Sequence, residues 1–267
     1  MPEAFRYCSR GVHGSIIAQA AETSKQVLVT PTPLESGIMC GRYTLTHREA
    51  EKLAAELGVP VDQLADYKPR YNIAPTQRQL IVRIEFEDRE ALRARWGLIN
   101  RWAKDAKTGY RTINARAETV HQRPAFRDAF KKRRCVVPAD GFYEWTGPKA
   151  ARMPLWFHRP DGGLLLFAGL YESWQPEPDV WEPTYTIITT DANETVGQVH
   201  NRMPVILPEE RIDDWLHPRE EDVDKLRGFL VPAANDLITS TPVSPRVNSV
   251  KNDDPDLLEE ISATQSS

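Results

Sequence analysis

The 267-residue sequence predicts a strand-rich chain with a few short helices. Stretches such as 80–86 and 91–98 alternate apolar and polar residues with the period of a half-buried strand. Leu53, Ala54 and Leu57, and again Phe126, Ala129 and Phe130, line up on one helical face. With 40% hydrophobic residues over this length, the chain buries a sizeable core as one large domain or two small ones.

Taken in order, residues 1–38 show no sustained periodicity, carry 3 basic and 3 acidic side chains, and end in an irregular Thr/Pro run. Residues 42–45 read as a short strand, and Thr46 with Glu49 has the spacing of a helical capping box. The stripe that follows stops at Gly58 and Pro60. Asn72 and Pro75 favour a shaped loop over 67–80. Residues 80–86 and 91–98 form a hairpin across Glu87-Asp88-Arg89, and a polar run follows to Gly109. Trp96 and Trp102 beside this basic loop suit either core packing or base stacking.

The helical stretch around Phe126–Phe130 ends in Lys131-Lys132-Arg133-Arg134, where cations complement the helix dipole. Residues 135–139 read as a buried strand, and 140–145 as another that holds Glu144 among Phe142, Tyr143 and Trp145. Desolvation there is expected to raise the carboxyl pKa, which suits acid/base work. Residues 154–158 and 163–170 read as a strand pair across Arg159-Pro160-Asp161-Gly162, 174–182 as a surface loop and 184–190 as a strand. His200 sits in a loop before a buried strand, helices follow from Pro208 and from Asp222, and 243–250 reads as a last strand before an acidic tail.

Net charge is −4, but residues 89–134 hold 14 Lys/Arg against 4 Asp/Glu, whereas 208–267 hold 6 against 14. Such a basic middle fits an anionic partner, or a plain solvated face. Cys8, Cys40 and Cys135 have neither disulfide nor zinc spacing, so no metal or other cofactor is expected, and a reducing cytoplasm fits. No apolar run nears the roughly 18 residues of a membrane span, and the mean hydropathy is −0.51.

The stretch Met39-Cys40-Gly41-Arg42-Tyr43 draws attention because a Cys at a chain's first position carries an amine and a thiol on adjacent carbons. Cys40, Glu144 and His200 together permit nucleophilic, acid/base and orienting roles. Spacing alone does not place them in one pocket.

Six motifs occur in order: MCGRY at 39–43, RYNIAPT at 70–76, WGLI at 96–99, INARAET at 113–119, RCVVPADGFYEW at 134–145 and HNRMP at 200–204. The set resembles the SRAP family of SOS-response-associated proteins, which crosslink to abasic sites in single-stranded DNA. That resemblance implies a single α+β domain of curled antiparallel sheets with flanking helices and a basic DNA groove. It spans 39–252, with 1–38 a non-native or removable extension and 253–267 an acidic tail. It implies that Cys40, once N-terminal, forms a thiazolidine with the abasic sugar. Glu144 then serves as acid/base, His200 assists ring opening, and Asn114 holds the Cys or the sugar. Arg42 and Arg116 are expected on phosphates and Asn72 in the pocket lining, with Trp96, Trp102 and Lys251 as further DNA contacts. The protein is expected to be monomeric, cytoplasmic and, in a bacterium, nucleoid-associated at damage.

An internal Cys40 has an amide nitrogen and cannot form the Schiff base that the thiazolidine needs. Met39 is therefore expected to be the working start; release by proteolysis, autocatalytic in one version, and a blocked protein that only binds DNA are the alternatives. Two other readings stay open: a Cys-His-Glu peptidase or amidohydrolase, and a non-covalent reader of damaged single-stranded DNA.

Overall fold

The alternating stretches become strands that close on one another. The computed structural model describes residues 41–148 and 151–261. Residues 1–38, Met39 and Cys40, with their expected roles, lie outside the described residues, as do 262–267. The strands are β1 (Tyr43–Leu45), β2 (Arg70–Ile73), β3 (Arg78–Glu85), β4 (Asp88–Trp96), β5 (Asn114–Arg116) and β6 (Arg134–Ala139). They continue as β7 (Gly141–Thr146), β8 (Met153–His158), β9 (Leu165–Glu177), β10 (Val180–Asp191), β11 (Arg202–Pro204) and β12 (Thr239–Pro242). The helices are short: α1 (Ala50–Leu57), α2 (Arg127–Lys132), α3 (Glu194–Gly197), α4 (Ile212–Leu216) and α5 (Val223–Arg227).

Strands β4, β3, β6, β9 and β10 follow one another, and β10 returns to β4, so these five close a barrel. The pairings are antiparallel except at this seam, where Thr184 and Tyr185 run parallel to Arg95 and Trp96. A short parallel pairing also joins β5 to β10. The α+β architecture is therefore as expected, with two parallel joins that an all-antiparallel reading omits. The β3–β4 hairpin turns on Phe86 and Glu87, both at positive φ (49° and 76°), which matches the twist of the strands it joins.

A second, open sheet of five strands, β12-β8-β7-β1-β2, packs on the barrel. Its inward residues Tyr43, Leu45, Phe142 and Phe157 share one core with Trp96, Phe167 and Tyr185 of the barrel. The Tyr43 ring meets Trp96 edge-on at 5.2 Å, and the Tyr43 and Tyr185 hydroxyls are hydrogen-bonded at 2.7 Å. Two motif glycines allow close packing within each part, Gly141 against β8 of the open sheet and Gly97 against the loop at Gly109. A Cβ on Gly141 would lie 2.0 Å from Trp156 Nε1, and one on Gly97, already at φ 118°, would lie 2.5 Å from the Gly109 carbonyl oxygen.

Several expectations change. Thr46 does not cap α1; its hydroxyl donates to Asp140 at 2.7 Å, and Glu49 holds the N-cap position without a side-chain bond. Residues 70–73 form β2 rather than loop. Strands β8 and β9 exist but do not pair with each other: β8 lies between β7 and β12, and β9 between β6 and β10. Most of 174–182 is the β9–β10 hairpin, and 243–250 contains a 3-10 turn at Pro245–Asn248 instead of a strand. The expected acidic tail is folded over its first part. Leu257 is buried, Glu260 bridges to Val243, and the Asp253 carboxylate accepts the Tyr71 and Asn72 N–H groups at 2.6 and 3.0 Å.

Candidate active site

Gly41 leads into β1, which pairs with β7 through Tyr43 with Phe142 and Thr44 with Gly141. The ladder extends one step further, the Tyr143 N–H donating to the Arg42 carbonyl at 3.0 Å. Because the strands are antiparallel, Glu144 follows in the direction of Gly41. Side chains alternate along a strand, so Glu144 shares the face of Phe142 and looks into the space between sheet and barrel. It stands opposite Leu155 of β8 and is only 4% exposed.

On the barrel, β5 sets Asn114 beside Ile187 and Arg116 beside Thr189 of β10. Asn114 is half-buried and Arg116 exposed. His200 lies between α3 and β11, its backbone N–H bonded to the Val196 carbonyl at 2.9 Å. Its Nδ1 accepts the Arg202 N–H at 3.1 Å, so in the neutral ring the proton sits on Nε2. Burial lowers the imidazole pKa against an opposing hydrogen bond to the Arg202 backbone, and the charges of Arg202 and Arg152 push the same way as burial.

Arg202 ties two of the motifs together and was missed by sequence reasoning. Its guanidinium, nearly buried, binds both Glu118 oxygens, Asp191 at 2.7 Å and the Thr189 carbonyl at 2.7 Å. Burial works against ionisation of Glu118, but the Arg202 hydrogen bonds, a backbone hydrogen bond and the charges of Arg202 and Arg116 together outweigh it, and the net pKa is lowered. The clamp joins the turn after Asn114 and Arg116 to the strand after His200. The signal was present in the HNRMP and INARAET motifs, each of which carries one half of the pair.

Arg42 and Asn72 lie on the other face of the open sheet. The Arg42 guanidinium donates to Asn72 Oδ1 at 2.7 Å and to the carbonyls of Val247 and Asn248, and it lies over the Trp145 ring. Burial lowers its pKa from the usual arginine value. With Trp145, Arg152 and Asn248 it lines an open cleft of about 580 Å³. The exposed Lys251 rides on the adjoining loop.

Two expected DNA contacts are corrected. Asn72 is 0% exposed, and its amide nitrogen donates to the carbonyls of Val247, Ser249 and Asn252, so it orders the loop and Arg42 instead of meeting a ligand. Trp96 is also 0% exposed; its Nε1 donates to the Ile113 carbonyl at 2.8 Å, which braces the strand of Asn114 against Tyr43. A buried indole cannot stack on a base. Trp96→Phe is expected to cost about 1–2 kcal/mol by losing that bond and some volume, a fall in Tm of about 2–8 °C; thermal unfolding measures it, and an unchanged Tm would contradict the bracing role. Trp102, by contrast, is 72% exposed.

Among the described residues no helix is long and apolar enough to cross a membrane, and no group of three or more His, Cys, Asp or Glu side chains is placed to hold a metal.

Residues 39–250 match the profile of the family described as SOS response associated peptidase (SRAP). The chain is 42% identical to the abasic site processing protein YoqW of Bacillus subtilis (strain 168), over 83% of this chain and 99% of that one. It is 34% identical to the abasic site processing protein HMCES of Gallus gallus, over 75% of this chain and 71% of that one. A crystal structure of a Bacteroides thetaiotaomicron protein superposes with a TM-score of 0.74 at 26% identity, covering 84% of this chain and all of that one. The chain belongs to the SRAP family.

Proposed function

We propose that this protein processes abasic sites in single-stranded DNA by linking Cys40 covalently to the open-chain sugar aldehyde. One observation carries the reading: the buried carboxylate of Glu144 stands next along β7 from the residue bonded to Arg42, beside the backbone that leads from Cys40. The names of the relatives point to the same substrate.

The chemistry follows from what a terminal cysteine carries. Its neutral amine adds to the aldehyde carbon to give a carbinolamine. Glu144 gives a proton to the departing hydroxyl, water leaves, and a Schiff base forms. The thiol then adds to the imine carbon, its proton passes to nitrogen, and a five-membered thiazolidine closes with net loss of one water. A neutral His200 bearing its proton on Nε2 donates to the sugar ring oxygen during ring opening, and Asn114 orients the cysteine or the sugar. Arg42, Arg116, Trp102 and Lys251 hold the flanking strand, with phosphate contacts dominating affinity.

A free Cys40 amine requires that the preceding residues be absent. Where they are present, the Cys40 thiol attacks the Met39 carbonyl, the acyl group moves to sulfur as the peptide bond breaks, and water hydrolyses the thioester. Glu144 carries the proton. A monomer working at cytoplasmic, nucleoid-associated damage belongs to the same proposal.

The test is intact-mass analysis after incubating an abasic oligonucleotide with protein that begins at Cys40. A product heavier than the protein by the oligonucleotide less one water is expected, and none when one residue that cannot be removed precedes Cys40. Reversible, salt-sensitive binding without adduct would leave a non-covalent reader, and peptide cleavage without adduct a thiol peptidase.

A further inference from the structure

We propose that Trp181, with the Arg101 guanidinium laid over its ring, is a stacking position for an unpaired base flanking the abasic site, extending a surface that begins at Trp102. This rests on the single-stranded DNA reading above. Trp181 lies at the start of β10, outside every sequence motif, and remains 48% exposed although the Arg101 guanidinium carbon sits 5.2 Å from its ring centroid. A cation on one face of an indole leaves the other face for a base, and every base has a π-face to offer.

Both indoles stand on one support. Residues on each side of Trp102 are fastened to the β9–β10 hairpin: the Ile99 N–H donates to Thr184 Oγ1 at 3.0 Å, and Trp174 Nε1 donates to the Ala103 carbonyl at 2.8 Å. Ile99, Ala103 and Trp174 form a small apolar cluster of their own beneath this surface. Trp102 and the cation on Trp181 are consecutive residues on that pinned loop, so the two rings are presented together.

The charge around them favours a polyanion. Residues 101–111 contain Arg101, Lys104, Lys107 and Arg111 against the single acid Asp105, whose carboxylate is engaged by the Lys107 N–H at 2.8 Å. Glu182, next to Trp181, is neutralised by Arg78 at 2.8 Å. Beyond Trp181 the hairpin tip carries Glu177 and Asp179, which repel phosphate. The strand therefore runs over the 101–111 loop and ends at Trp181.

The experiment is fluorescence anisotropy with the full chain and oligonucleotides that carry a stable abasic analogue and thymidine flanks of increasing length. Trp181→Ala is expected to weaken binding of the long oligonucleotides about 5-fold or more and to leave the shortest unchanged, while Trp181→Phe retains most of the affinity. Arg101→Ala is expected to lower the salt slope by about 1. Equal binding by Trp181→Ala at every length overturns the proposal and leaves the patch to a protein partner. An equal loss at every length, accompanied by a lower Tm, also overturns it, because that is a folding defect. If the parent protein binds no DNA, the underlying reading falls as well; if it forms the adduct and Trp181→Ala binds long strands normally, only the role of Trp181 falls.

Discussion

Replacing Glu144 by Gln is expected to slow adduct formation by about 10²–10⁴-fold, the usual worth of a positioned general acid/base, with the fold retained. Gln keeps the shape and can still donate and accept hydrogen bonds, but it cannot pass a proton to the departing hydroxyl. Single-turnover gel time courses measure the effect, and a rate within about 3-fold of the parent, far below the loss expected for such a group, would remove Glu144 from the reaction. The His200 imidazole adds a pH dependence whose sign is fixed. Its folded pKa is lowered chiefly by burial, so its contribution to stability is full above the unfolded value of about 6.5 and is lost as pH falls through the folded value. Rate measurements for the Glu144 variant therefore belong above that pH, where the ring is neutral and the fold is not being titrated.

Local pattern shows which residues face inward, and long-range partners decide what those faces meet. The alternation in 154–158 and 163–170 gave two true strands. It could not show that Glu144 would pair with Leu155 and Val137 with Phe167, sending the two to different sheets. The Thr46/Glu49 capping box failed for a related reason: Asp140, 94 residues away, accepts both the Thr46 hydroxyl and its N–H. Residues 243–250 have strand-like valines, yet Asn72 draws three carbonyls of that neighbourhood to one amide and a turn forms. Trp96 and Trp102 are alike in a sequence; only the closed barrel decides that the first becomes core. The motifs marked where the site lies and contain both Arg202 and Asn72, but only the folded chain shows that these two hold its parts in place.

Asn72→Leu separates a holding role from a contacting one. The side chains are nearly isosteric, so no cavity opens, but the Ser249 and Asn252 carbonyls lose their bond to the amide and Arg42 loses its carbonyl acceptor. Unsatisfied groups at a buried site cost about 1–3 kcal/mol each where water does not reach them. Part of this loop is exposed, so a total of about 3 kcal/mol is expected, or a fall in Tm of roughly 6–12 °C. Arg42 would still have the Val247 and Asn248 carbonyls, but its fixed direction into the cleft beside Trp145 would be lost. DNA affinity should therefore fall together with Tm, and Arg42→Lys should lose the affinity with less of the stability. A variant with an unchanged Tm and weakened DNA binding would show Asn72 to be a direct contact, against its burial. The outcome also bears on Lys251, because the loop that presents it is ordered by the same amide.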